Sequence, residues 1–249
     1  MNTHTLPEAE AYVLSEDTKA KLKRASTASI ATQLYKRGLR NQFIQGVRPV
    51  TRKPETMVGQ AFTLRYLPAR EDRNPLEVFR DPAHKQRVAV ETCPPGQVLV
   101  MDGRKDASAA TAGSILVTRL AVRGCAGVVS DGGFRDAEGI GALDMPCFYA
   151  GPSAPTNLTK HEAADINIPI ACGDVAVFPG DVIVGDGDGV MVIPAHLADE
   201  IAEACAGMES YEAFVIEQVA NGAPIIGLYP CTLEENEKKY EAWRARTGL

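Results

Sequence analysis

Residues 98–136 read VLVMDGRKDASAATAGSILVTRLAVRGCAGVVSDGGFRD, and this stretch carries the plan of the fold. Val98–Met101 is a short apolar run ending at Asp102, as a buried strand would be. A loop of Gly, Ala and Ser follows, then a helix over about Gly113–Arg123. Ala126–Ser130 is the next buried strand and ends at Asp131. Strand, loop, helix, strand make one parallel crossover unit. In such units ligands collect where strand C-termini meet helix N-termini.

Working outward, Ser15 is placed to cap a helix that runs to about Arg37 and stops at Gly38, with Glu16 and Asp17 in its first turn. The dozen residues before it form a loose arm. Gly59–Tyr66 has the composition of a strand. Residues 68–96 are charged and proline-rich and read as irregular, apart from a short helix near Pro75–Phe79. Beyond the crossover, Cys147–Tyr149, Ile168–Ala171, Val182–Val184 and Val190–Ile193 are short strands, and turns at 179–181 and 186–189 punctuate them. Pro194 opens a helix to about Ala220, and a last helix covers about Leu233–Arg246. With no internal repeat and no low-complexity linker, one compact α/β domain over 1–249 is expected, its core at about 25–230 and terminal helices appended.

Composition narrows the function classes. The 249 residues are 45% hydrophobic and 23% charged, ordinary values for a globular protein. A net charge of −6 gives no reason to expect nucleic acid as partner. Residues 1–91 carry 16 Lys and Arg against 10 Asp and Glu; the remainder carries 10 against 22. A basic N-terminal surface packing on an acidic one would explain this, and so would drift. No two of the six cysteines lie within four residues of each other, so there is no zinc or redox spacing, and a reduced, cytoplasmic protein is expected. The N-terminus has no apolar signal region, and no apolar stretch approaches the ~18 residues of a membrane span.

Two motifs carry chemistry. In Asp131-Gly132-Gly133-Phe134-Arg135-Asp136 the glycines suit a tight backbone turn with room for a ligand. Arg135 offers a planar fork for a carboxylate, and Asp136 a hard oxygen for Mg²⁺ or Mn²⁺. A plain turn with a local ion pair accounts for the same residues. In Ala112-Gly113-Ser114-Ile115-Leu116, free backbone N–H groups at a helix start suit a carboxylate or an oxo oxygen, with Gly113 permitting close approach. A helix start capped by Ser114 is the simpler account. His161, beside Lys160 in the polar stretch 156–165, either contacts an anionic substrate or is an ordinary loop histidine. Asp186-Gly187-Asp188-Gly189 lacks the terminal acid of a calcium loop and reads as a turn. No glycine-rich nucleotide or S-adenosylmethionine loop is present.

Together, residues 101–136 resemble the signature region of the RraA-like family: Asp102-Gly103, Gly113, Arg123-Gly124, Asp131-Gly132 and Arg135-Asp136 fall in the family's order. FPGDVIVGDGDGVMVIP at 178–194 is similar to its second hallmark, and SIATQLYKRG in the first helix is a weaker echo. The resemblance implies a layered α/β "swivelling domain" fold with a mixed sheet, and a homotrimer or dimer of trimers with sites between subunits. It implies a metal-dependent aldolase or decarboxylase that releases pyruvate from a small 2-oxo acid. In that reading Arg135 binds the substrate carboxylate, Asp136 holds Mg²⁺ (or Mn²⁺), and the N–H groups of Ser114, Ile115 and Leu116 beside Gly113 take the carboxylate or oxo oxygen. The family also holds a non-catalytic regulator that binds ribonuclease E, and another lyase or hydratase acting on a sugar-acid derivative is a third reading. One departure matters. The family's aldolases carry Asp or Glu at the position of Ser114, and a serine hydroxyl is a poor base at neutral pH. Those aldolases also borrow a glutamate from the neighbouring subunit, for which Glu212 or Glu217 is the candidate. Thr32 stands where the first helix usually has Asp.

Overall fold

A computed structural model describes residues 12–52 and 55–248. The expected N-terminal arm lies almost wholly outside them. The strands in chain order are β1 (Arg48–Pro49), β2 (Met57–Pro68), β3 (Val98–Asp102), β4 (Ala110–Ala112), β5 (Gly127–Phe134), β6 (Cys147–Pro152), β7 (His161–Ile166), β8 (Ile170–Cys172), β9 (Val175–Val177), β10 (Val182–Gly185) and β11 (Val190–Ile193). The helices are α1 (Glu16–Leu22), α2 (Thr27–Lys36), α3 (Lys85–Thr92), α4 (Ser114–Val122), α5 (Ala137–Gly141), α6 (Ala198–Ala220) and α7 (Glu234–Thr247).

Nine strands form one mixed sheet in the order β1-β6-β5-β3-β2-β10-β11, with β4 added to β5 and β7 to β2. The centre, β2-β3-β5-β6, is parallel; β1, β7, β10 and β11 join antiparallel. The parallel strands are apolar on both faces because both faces are covered: Val98, Leu99, Val100 and Met101 of β3 are each 1% exposed or less. Leu99, Met101 and Val128 pack toward α3 and α4, whereas Val98, Val100 and Val129 pack with β8 and β9. A third cluster joins α1, α2 and α6 to β10 and β11. The expected mixed α/β fold with terminal helices is therefore the one observed.

The expected first helix is broken in two. Ser15 caps α1 as anticipated, its side chain accepting from Thr18 N–H. The chain then turns, and Ser26 caps a second helix by accepting from Ser29 N–H. The break is fixed from outside. Asp186 accepts from both Thr27 N–H and Thr27 Oγ, each at 2.8 Å, and from Asp188 N–H at 2.9 Å. The Asp186–Gly189 segment is thus a turn that ties α2 to the β10–β11 hairpin.

Two segments hold more order than expected. The 68–96 excursion contains the expected short helix, as a 3₁₀ turn at Leu76–Arg80, and then α3, which was not expected. The polar 156–165 stretch runs into β7, which pairs with the far end of β2. The last two helices pack through Phe214, Trp243, Tyr211 and Tyr240. Trp243 Nε1 donates to Glu217 at 2.8 Å and Tyr229 Oη to Glu212 at 2.5 Å, so within this chain both candidate glutamates serve the C-terminal hairpin. Thr32 only donates back to Ala28 O in its own helix. No described helix is long and apolar enough to cross a membrane.

Candidate functional site

Two chain reversals meet at one edge of the parallel sheet. Strand β4 ends at Ala112 and passes through Gly113 into α4; its neighbour β5 ends at Phe134 and passes through Arg135 and Asp136 into α5. The two crossings are stitched by Arg135 N–H donating to Ala112 O at 3.0 Å. Side-chain bonds beneath them fix their separation: Thr111 Oγ lies 2.8 Å from Ser130 Oγ and donates to Gly133 O at 3.0 Å. Tyr66 Oη and Gln86 Nε2 both donate to Thr111 O.

The DGGF glycines do not make the tight turn expected of them. Asp131–Phe134 continue β5, wholly buried. The glycines are there for close packing: a Cβ on Gly132 would meet Thr111 Cγ2 at 2.7 Å, and one on Gly133 would meet Ala107 O at 2.9 Å. The reversal comes two residues later, where Asp136 takes the left-handed conformation (φ 57°) that Asp tolerates better than most residues.

Around this edge lies a cleft of about 220 Å³, whose lining includes Gly113, Ile115, Leu116, Arg135 and Asp136. Five of the residues singled out from sequence are thus brought together. Ser114, the sixth, is joined to them through Asp136: its N–H and Oγ–H both donate to Asp136 Oδ2 at 3.3 Å. Arg135 Nε sits 3.6 Å from the same oxygen. Both side chains of that pair are about half exposed, at 49% and 46%, and the guanidinium makes no hydrogen bond to a described residue. A Cβ on Gly113 would strike Arg135 Cγ at 2.8 Å and Asp136 Oδ2 at 3.0 Å, so glycine lets both side chains lie against the helix start. The cleft therefore joins the N–H groups of the first turn of α4, a guanidinium fork and one carboxylate.

His161 is not brought there. It is 0% exposed at the start of β7. Nη2 of Arg104 approaches its Nδ1 at 3.2 Å, and its Nε2 lies 3.0 Å from Asp106 O, which makes Nε2 the protonated nitrogen. Burial, then the Arg104 charge, lowers its pKa, so it is a neutral structural residue here and no anion contact. It is not a loop histidine either, because β7 pairs with β2 and carries the ring inward.

Sequence reasoning also missed part of the wall: Phe79, Gln86, Arg87, Thr156 and Asn157 line the same cleft. The signal was present. Gln86, Ala89, Val90 and Cys93 fall at i, i+3, i+4 and i+7, and all four are buried. A glutamine in the first of those positions hid the period.

The aspartates before each glycine are structural. Asp131 accepts from Gly103 N–H at 2.5 Å, Gly173 N–H at 2.9 Å and Lys105 N–H at 3.2 Å, pinning two loops to β5. Burial outweighs these bonds and pushes its carboxyl up to about 6. The folded value lies above the unfolded one, so the Asp131 contribution to stability is full below pH ~4 and is lost as pH rises through about 6, a loss of ~3 kcal/mol. We expect its ¹³C carboxyl resonance to titrate near pH 6. Asp131→Asn should lower Tm, because a buried N–H loses its acceptor, yet flatten the decline in stability between pH 4 and 6.5. A midpoint below pH 4.5 would contradict this.

Among the described residues no three His, Cys, Asp or Glu side chains converge as a metal cage. The cleft offers a donor set of one carboxylate, Asp136, since the Thr156 and Asn157 side-chain oxygens are bonded to each other at 3.3 Å. That donor set fits a hard cation retaining most of its water, as Mg²⁺ usually does, and not a dehydrated ion.

The comparisons with known proteins come to the same region. A model of the RraA-like family, described as Aldolase/RraA, matches residues 27–192. A protein of Halalkalibacterium halodurans, provisionally assigned as a 4-hydroxy-4-methyl-2-oxoglutarate aldolase, is 42% identical over 44% of this chain and 51% of its own length. The chain thus spans about half of that relative. An uncharacterized protein of Methanocaldococcus jannaschii is 30% identical over 72% of this chain and 80% of its own. In structure, Streptomyces coelicolor RraAS2, described as an unusual member of the RNase ES inhibitor RraA family, superposes with a TM-score of 0.71 at 28% identity, covering 81% of this chain and 96% of that one.

Proposed function

This chain belongs to the RraA-like family, and from that premise we propose that it is a lyase that cleaves a carbon–carbon bond of a small 2-oxo acid and releases pyruvate. The observation that carries the reading is the convergence of Arg135, Asp136 and the α4 N-terminus on one cleft. The aldolase-named relative supports the same chemistry.

Arg135 takes the substrate's C1 carboxylate in its planar fork. The N–H groups of Ile115 and Leu116 are offered to the 2-oxo oxygen, while Ser114 N–H holds Asp136 in place. As the C3–C4 bond breaks, its electron pair passes through C3 to that oxygen, and the helix N-terminus stabilises the developing charge. Leu116, Phe79, Ala110 and Ala112 exclude water from the apolar side of the cleft. Asp136 would hold Mg²⁺ or Mn²⁺, and the bound ion supplies a Lewis acid for the 2-oxo group.

Proton movement separates two reactions. Retro-aldol cleavage needs a base for the C4 hydroxyl; decarboxylation of oxaloacetate does not, since CO₂ leaves instead. Asp136 is the sole carboxylate lining the cleft among the described residues. Ser114 donates to it and is not placed as a base. Oxaloacetate decarboxylation should therefore exceed aldol cleavage unless a neighbouring subunit supplies a carboxylate. The test is pyruvate release from oxaloacetate and from 4-hydroxy-4-methyl-2-oxoglutarate, coupled to NADH oxidation, with Mg²⁺ and with EDTA. Metal-dependent release from oxaloacetate, with slower release from the hydroxy acid, is the expected result. Release from neither would remove the lyase reading.

A second reading is favoured by Ser114 itself. A cleft without a base also suits a non-catalytic binding protein, and the Streptomyces relative is described as an unusual member of an RNase inhibitor family. Absence of turnover with metal bound would bring it forward.

A further inference from the structure

The wall that the sequence did not reveal contains an unusual pair of atoms. Arg87 Nη1 and His84 Nδ1 are both buried and both lack a hydrogen-bond partner. The described residues hold four such side-chain atoms, so half of them lie within one turn of chain. A buried polar group left unpaired destabilises the fold, and more so when it is charged. Such a cost is offset where a ligand completes the bond.

The geometry around Arg87 holds it ready. Its guanidinium carbon lies 4.2 Å from the centroid of the Phe79 ring, a stacked cation–π contact that fixes the plane of the fork. Phe79 in turn meets the His84 ring edge-on at 5.3 Å. No described carboxylate pairs with Arg87, and burial lowers its pKa. Burial and the Arg87 charge disfavour protonation of His84, so His84 adds a polar ring nitrogen and no second cation. Phe79, Gln86 and Arg87 line the cleft together with Arg135. One cleft thus contains two guanidinium groups on different segments, neither neutralised by a strong ion pair.

We propose that Arg87, seated on Phe79 with His84 beside it, is a specificity-determining residue that binds a second carboxylate on the leaving portion of the substrate, so that the cleft selects 2-oxo dicarboxylates over monocarboxylates. This rests on the reading that Arg135 takes the C1 carboxylate. A guanidinium–carboxylate pair made by the side of Arg87 that lines the cleft gives its unpaired charge a partner and sets the length of the molecule that fits.

Calorimetric titration of the full chain tests it without requiring turnover. The probes are 2-oxoglutarate, pyruvate and inorganic phosphate, on the wild type and on R87Q, R87K and R135Q, each shown folded by its melting curve. The wild type should bind 2-oxoglutarate at least about tenfold tighter than pyruvate. R87Q should lose that preference through weaker 2-oxoglutarate binding with pyruvate unchanged, R87K should retain part of it, and R135Q should weaken both ligands. An unchanged preference in R87Q, with R135Q still weakening both, overturns the proposal and leaves the function reading intact. No effect of R135Q on either ligand overturns the function reading and the proposal with it. Phosphate binding that R87Q abolishes while 2-oxoglutarate binding survives overturns the carboxylate assignment.

Discussion

Arg135→Gln is expected to lower kcat/KM for pyruvate release by about 10²–10³-fold, mostly through KM. The fork makes two charge-assisted hydrogen bonds to the substrate carboxylate, worth roughly 3–4 kcal/mol together. Glutamine keeps length and polarity but neither the charge nor the second donor in register. The protein itself should tolerate the change. Arg135 is half exposed, and its side chain has one intramolecular ionic contact, to Asp136 at 3.6 Å. Steady-state kinetics on oxaloacetate, with matched melting curves, would measure it. A loss smaller than threefold would mean that the carboxylate is held elsewhere.

Asp136→Asn should cost more in turnover, on the order of 10³-fold in kcat when Mg²⁺ is present, because it removes the one carboxylate the cleft offers to a cation. Asparagine is the informative replacement. It tolerates the left-handed backbone at φ 57° and retains an acceptor for Ser114 N–H, so the turn survives while the charge is lost. Mn²⁺ affinity, followed by paramagnetic relaxation of water, should fall at least about tenfold in the same variant. Intact Mn²⁺ affinity with lost turnover would make Asp136 a proton carrier instead of a metal ligand.

Much of this site was legible because it lies in one crossover. The apolar runs at 98–101 and 126–130 are buried on both sides of the sheet, and that burial is written in their composition. The helix between them starts within a residue of where Gly113 places it. What failed to show had a common cause, since it depends on contacts distant in sequence. The break before Thr27 is made by Asp186, 159 residues away. Strand β7 looks polar because it packs at the far end of β2, where only His161 is fully buried and Asp165 is exposed. The glycines at 132 and 133 signal a turn locally, whereas their reason is Thr111 and Ala107 pressing from the neighbouring strand and loop. His161 sits among polar neighbours in sequence, and only the pairing of β7 with β2 buries it.

Two of the stretches that line the cleft differ in their tolerance for change. Residues 110–136 supply the helix start, the fork and the carboxylate, locked by β4, β5 and the Thr111–Ser130 contact. Residues 68–96 supply Phe79, Gln86 and Arg87 from a surface excursion between β2 and β3. Surface connections accept insertion and deletion far more readily than buried parallel strands do. The exposed part of the excursion, with Phe79 on a 3₁₀ turn that has no buried residue, is therefore the exchangeable part, whereas α3 is anchored by Ala89, Val90 and Cys93 in the core. Descendants of such a chain could trade one substrate for another by rewriting the residues ahead of α3, and an engineer could transplant that segment between relatives to retarget the cleft without redesigning its chemistry.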